Sequence, residues 1–262
     1  NGVNDAPALK NADIGVAMGQ RGTDVAQQSS DMIVQDDNFA SIRDAIEEGR
    51  GISDNIRKSV NYLLSGNMGE VMVVFFGLII GGIFFPEVFQ THSEALILTP
   101  MMLLWINFIS DGFPALALST DPPKENIMQE RERYGSKSLI DRTIMKSILY
   151  IGVLMAVAGL PVFFLSLGKS LLIAQTALFT FVILAEMARI QVIRNRYGHS
   201  IINNKWVIAS LGVSISLQFI LLYTSAAEIF GTASLSLSNW INILTAATGF
   251  SILTALFSRF NQ

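Results

Sequence analysis

Residues 62–82 read YLLSGNMGEVMVVFFGLIIGG. The stretch is apolar for about the ~20 residues that a helix needs to cross ~30 Å of hydrocarbon. It also holds an amide and a carboxylate, Asn67 and Glu70. Its length points to a membrane span, and its polar pair points to a task within the span. An ionisable side chain in lipid is costly and is a functional position by default. Asn67 and Glu70 are three residues apart, so a helix presents them on one face.

The same pattern recurs along the chain. Apolar runs fall at about 62–85, 95–118, 143–167, 171–193, 206–224 and 240–257. Six runs of this length argue for a mainly α, polytopic membrane domain rather than a large soluble core. Composition agrees, because 15% of residues are charged where an average soluble domain has roughly 25%. A net charge of -3 implies no nucleic-acid partner. With no Cys, disulfides and thiolate metal sites are excluded. No basic-then-apolar signal peptide opens the chain, and a start at Asn1 suggests a piece with an upstream part. Pro161 is expected to kink the third span.

Basic residues set the orientation. One side carries most of the Lys and Arg, among them Arg57, Lys58, Arg131, Arg133, Lys137, Arg194 and Arg196. The other side has PEVFQTHSE, LGKS and AEIFGTASLSLSN, with Lys169 its only basic residue. The positive-inside rule then places both ends in the cytoplasm. Trp206 and Trp240 sit at span ends, where interfacial aromatics belong.

Residues 1–61 read differently. ADIGVAM and DMIV are short strand candidates, and GTDVAQQSS between them is a helix candidate. From Asn38, a plausible N-cap, apolar residues recur at helical intervals through Phe39, Ile42, Ile46, Ile52 and Ile56. This stalk, 39–61, leads directly into the first span, although Gly49 and Gly51 weaken the helix locally.

More polar residues lie in the other spans. The second, LTPMMLLWINFISDGFPALAL, holds Asn107, Ser110 and Asp111, spaced to share a face. The fourth holds Glu186, with Arg189 three residues on. Every candidate donor is an oxygen, which suits hard cations such as Ca²⁺ and disfavours metals preferring Cys or His. Each has a plainer reading. Asn67, Asn107 and Ser110 also serve as interhelical hydrogen-bond glue, Glu186 pairs with Arg189, and Gly66 and Gly69 permit close packing. Pro100 and Pro114 are either ordinary kinks or breaks that turn backbone carbonyls to a site.

NGVNDAPALK followed by ADIGVAMG, GTDVA, the stalk and YLLSGNMGEV resembles the C-terminal part of P-type cation ATPases. LLWINFISDGFPALAL resembles their calcium-pump branch. The resemblance covers essentially the whole chain. It implies that 1–38 is the last part of a haloacid dehalogenase-like phosphorylation domain, ahead of a transmembrane domain at 62–262. It also implies that the opening loop closes a Mg²⁺–phosphate site. Asn4 and Asp5 match the family's Asn-Asp pair there, and Asn1 stands where the family has a Mg²⁺-binding carboxylate. Asn67, Glu70, Asn107, Ser110, Asp111 and Glu186 match its ion ligands, with Ser110 where calcium pumps often have Thr.

The family's phosphorylated Asp lies in a DKTGT motif that this sequence does not contain. The chain alone is therefore expected not to hydrolyse ATP. The parent implied is an ATP- and Mg²⁺-dependent Ca²⁺ pump of the plasma membrane, partnered by the bilayer and by the rest of the same pump. The alternatives are a pump for Mn²⁺, Na⁺ or H⁺, or a non-enzymatic membrane module that binds ions or partners.

Overall fold

A computed structural model describes residues 2–89, 95–129 and 139–260. Asn1, Arg131, Arg133 and Lys137 lie outside these residues, as does 90–94 of the PEVFQTHSE loop. The architecture is a polytopic helical membrane domain with a small α/β head.

The head begins with a 3₁₀ turn, Val3–Asp5, and helix α1, Ala6–Asn11, with Pro7 in its first turn. Strands β1, Val16–Met18, and β2, Met32–Val34, pair in parallel with Ala17 opposite Ile33. Parallel pairing needs a crossover. Helix α2, Asp24–Gln28, supplies it, capped by Thr23, whose hydroxyl accepts the Ala26 N–H. Ala17, Ala26 and Val34 are buried, whereas Val3, Ile14, Met32 and Ile33 are exposed.

Helix α3, Phe39–Phe84, joins head to membrane without a break. Asn38 caps it by accepting the Ala40 N–H at 3.0 Å. Gly49 and Gly51 lie inside it, so the expected local weakness does not interrupt the stalk. After the four-residue helix α4, Pro86–Phe89, the second span begins. It starts at Pro100 rather than 95, because Thr99 caps it and Pro100 fits the first turn.

This span is not a regular helix. It runs as α5, Pro100–Trp105, then a π-helical turn, Ile106–Ser110, then α6, Gly112–Leu118. Asp111 closes the π turn by donating its N–H to the Ile106 carbonyl at 2.9 Å. The cause lies in the sequence. Pro114 has no N–H to offer the carbonyl of Ser110, four residues back. The Tyr62 hydroxyl donates to that carbonyl instead, at 3.3 Å.

Four further membrane-length helices follow or frame short ones. They are α7, Arg142–Leu167, α8, Leu171–Arg196, α9, Lys205–Tyr223, and α11, Leu237–Phe260, with α10, Ala226–Phe230, between the last two. Pro161 lies within α7, which continues through it. Helix α8 is the most buried of the described spans and is the central helix, packed against α7 and α11. The core includes Val73, Met155, Phe163, Phe179, Phe181 and Phe250. Helices α3 and α7 approach at reciprocal glycines. A Cβ on Gly69 would collide with Met155, and one on Gly152 would lie 2.6 Å from the Met68 side chain.

Candidate cation site between the spans

Three helical segments bring three carboxylates together. Glu70 projects from α3, Asp111 from the end of the π turn, and Glu186 from α8. All three are buried, and one oxygen from each lies within 4.8 Å of the others. The π turn matters here, because the extra residue in its loop changes the direction in which Asp111 points relative to a regular helix.

The partners of these groups are incomplete. Asn107 donates its amide to Glu70 Oε2 at 2.9 Å and to the Leu103 carbonyl at 2.9 Å. Tyr62 donates its hydroxyl to Asp111 Oδ1 at 3.1 Å. Glu70 Oε1, Asp111 Oδ2, both oxygens of Glu186 and the Ser110 hydroxyl are buried without a hydrogen bond. Two ionised carboxylates at such a separation repel by about 3 kcal/mol even at an effective dielectric of about 20. A cluster of three is therefore stable only with a cation or with bound protons among its oxygens.

Arg189 is the cationic neighbour. It is wholly buried, and its Nη1 lies 3.9 Å from Glu186 Oε1. Its Nη2 donates to the Ser65 hydroxyl at 2.7 Å and to the Tyr62 carbonyl, and the guanidinium lies over the Tyr62 ring. Glu186 thus stands both beside the other carboxylates and beside Arg189. Gly66 is the floor of this arrangement. A Cβ there would lie 2.8 Å from Glu186 Oε1, 3.2 Å from Arg189 Nη1 and 3.5 Å from Asp111 Oδ2. Gly69 packs against α7, so the two glycines flanking Asn67 have different tasks.

Of the residues picked out in the sequence, the structure gathers Glu70, Asn107, Asp111 and Glu186, with Ser110 buried next to Asp111. It leaves Asn67 on an exposed face of α3, whereas Asn107, also exposed, still reaches Glu70 through its amide. Tyr62 was not singled out. Its position at the first residue of the span resembles an ordinary interfacial aromatic, and only the fold shows that it holds Asp111, Ser110 and Arg189.

Asn4 and Asp5 lie far from this cluster. About 46 Å of helix separates Phe39 from Glu70, at 1.5 Å per residue. Both are exposed, and Asp5 Oδ2 accepts the Gly2 N–H at 2.7 Å. Mg²⁺ demands near-octahedral oxygen coordination. One carboxylate and one amide do not make such a set, so no step of phosphoryl chemistry is assigned to the described residues.

Comparison with known proteins places this geometry. The family described as cation transporting ATPase, C-terminus, matches residues 95–260. A calcium-transporting ATPase of Bacillus subtilis is 33% identical over 99% of this chain, which spans 29% of that relative. Calcium-transporting ATPase 1 of Bacillus cereus is 36% identical over 92% of the chain and 28% of its own length. An endoplasmic reticulum calcium ATPase of Aspergillus fumigatus is 46% identical over 58% of the chain and 14% of its own length. The chain therefore spans less than a third of these relatives. It belongs to the cation-transporting P-type ATPases.

Proposed function

We propose that this chain is the ion-binding membrane part of an ATP-driven Ca²⁺ pump, and that it carries one Ca²⁺ per cycle. The observation that carries the reading is the convergence of Glu70, Asp111 and Glu186, buried and incompletely hydrogen-bonded, in the middle of the spans. All the donors are hard oxygens, which suits Ca²⁺. Relatives named calcium-transporting ATPases support the same ion.

The single-ion reading rests on Arg189. Three carboxylates with one guanidinium leave two negative charges, which one divalent ion neutralises. A second divalent ion would have to share Glu186 with a buried Arg that already lies beside it. Asn107 and Asn67 supply further oxygens on the open faces of the π turn and of α3, where other helices of the parent pump would complete the coordination. Protons replace the cation on the return step, because the emptied carboxylates otherwise repel one another. The ion leaves the cytoplasm, both ends of the chain are cytoplasmic, and the plasma membrane is the site of action. In the head, Asn4 and Asp5 would line the phosphate site that the rest of the parent completes, without holding Mg²⁺ by themselves, and the parent's own phosphorylated Asp takes the phosphoryl group from ATP.

The test uses the full-length parent, purified in detergent. ATP hydrolysis is measured against free Ca²⁺ for the wild type, Glu70→Gln and Asp111→Asn. Activation of the wild type alone is expected. Activation by Mn²⁺ or Na⁺ instead would keep the pump and change its cargo. Equilibrium binding of radioactive Ca²⁺ without ATP should reach one ion per phosphorylation site, and two would overturn the single-ion reading.

A further inference from the structure

A second buried carboxylate is outside the cation cluster. Asp121 lies three residues beyond α6 and its side chain is fully buried. Its Oδ2 pairs with Lys58 Nζ at 2.9 Å, and its Oδ1 accepts from Asn204 Nδ2 at 2.8 Å. Arg194 Nε approaches both oxygens at 3.2 Å. The Asp121 backbone carbonyl accepts from Asn55 Nδ2 at 2.8 Å. Helix α3, the end of α8 and the cap of α9 therefore meet at one side chain.

The contact with α3 extends along a stripe. Gly51 meets Pro123 so closely that a Cβ would lie 3.0 Å from its ring. Asn55 also donates to the Ser119 carbonyl at 3.1 Å, and Ser59 donates to the Ala115 carbonyl at 3.2 Å. Tyr62 then reaches Ser110 and Asp111. Positions 51, 55, 58, 59 and 62 recur at helical spacing, so one face of the stalk is fastened to residues 110–123 turn by turn. That segment carries the Asp111 carboxylate.

We infer that Asp121 is a positioning residue of the transport cycle, the joint through which displacement of the stalk moves the segment bearing Asp111. The inference rests on the pump reading above. Lys58 and Asn55 are the stalk's arms of the joint, whereas Asn204 ties it only to α9. A joint that merely stabilises the bundle would treat these arms alike, and a transmitting joint would not.

The experiment uses the full-length parent reconstituted in vesicles and reads Ca²⁺ taken up per ATP hydrolysed. Lys58→Met keeps the buried stem and leaves Asp121 with Arg194 and Asn204. It should lower the uptake ratio about fivefold or more while Ca²⁺-dependent phosphorylation from ATP persists. Asn204→Ala should stay within about twofold of wild type. Asn55→Ala, which uncovers no charge, should shift the ratio in the same direction as Lys58→Met and serves if that variant does not accumulate. An unchanged ratio in the stalk-arm variants, or an equal loss in Asn204→Ala, would overturn the inference. A wild type without Ca²⁺-dependent hydrolysis would overturn the pump reading, and this inference with it.

Discussion

A lone buried carboxylate and a cluster of three both lie against α3 and are treated in opposite ways. Asp121 has its cations built in, since Lys58, Arg194 and Asn204 cover both of its oxygens. Glu70, Asp111 and Glu186 share one guanidinium and leave four carboxylate oxygens without a hydrogen bond. Burial is alike in the two places, so desolvation does not distinguish them. The supply of donors does. A carboxylate saturated by its own chain is a structural joint. A cluster left short of positive charge is a place for a mobile ion.

This difference is broken most severely at the joint. Asp121→Asn leaves Lys58 and Arg194 facing a neutral group in a buried site. Breaking a buried ion pair from one side costs about 3–5 kcal/mol. Thermal unfolding of the parent in detergent with a Ca²⁺ chelator should show that loss, and a melting temperature equal to wild type would contradict it. The cation cluster should respond the other way. Glu70→Gln or Asp111→Asn removes repulsion, so stability in chelator should hold or rise. The wild type should gain about 2.7 kcal/mol when Ca²⁺ is added to about 100 times its dissociation constant. The two variants should gain almost nothing, and full Ca²⁺ protection of either would remove that residue from the site.

The sequence disclosed these two places unequally, for physical reasons. Carboxylates in the middle of an apolar run are conspicuous, because lipid makes them costly. Glu70, Asp111 and Glu186 were therefore visible before any fold was known, as was the Glu186–Arg189 spacing. Lys58 and Arg194 were read as charges flanking spans, where snorkelling side chains are common. Nothing local says that they turn inward, since their partner Asp121 is more than sixty residues away in sequence from each. The π turn falls between these cases. Pro114 marked a break in the second span, but the kind of break depends on Tyr62 accepting the role of donor to Ser110. That role comes from the neighbouring helix.

A smaller change sharpens the comparison at Gly66. Its missing side chain leaves room between Glu186, Arg189 and Asp111. In Gly66→Ala the new methyl would sit 2.8 Å from Glu186 Oε1, too close unless the carboxylate moves. No charge changes, and alanine favours the helix more than glycine does. The fold should therefore hold while Ca²⁺ affinity falls about tenfold, equivalent to about 1.4 kcal/mol. Calcium titration of phosphorylation reads this directly. Unaltered affinity would mean that the ion does not need the Glu186 side of the cluster.

The smallest expected effect concerns pH, and it separates the joint from its surroundings. Burial pushes the Asp121 carboxyl up, but the hydrogen bond from Asn204 and the charge of Lys58 outweigh it and hold the group below its ordinary 3.8. A carboxyl lowered by folding contributes stability above its unfolded value, and loses that contribution as pH falls through the lower folded value. The Asp121 contribution is thus constant between pH 7 and about pH 5. His199, beside the same joint, is shifted down from 6.5, first by burial and then by the charge of Lys58. Folding favours its neutral form, so its contribution is complete above the ordinary value and declines as pH falls below it. The wild-type melting temperature, taken relative to His199→Gln so that protonation of the cation cluster cancels, should therefore decline modestly from pH 7 to about pH 5. The Asp121→Asn deficit against wild type should hold or widen across that window, because the Asp121 charge also holds the His199 imidazole up. If that deficit vanished as pH fell, the carboxylate would be titrating in that range, and the joint would not be the saturated site that its three donors make it.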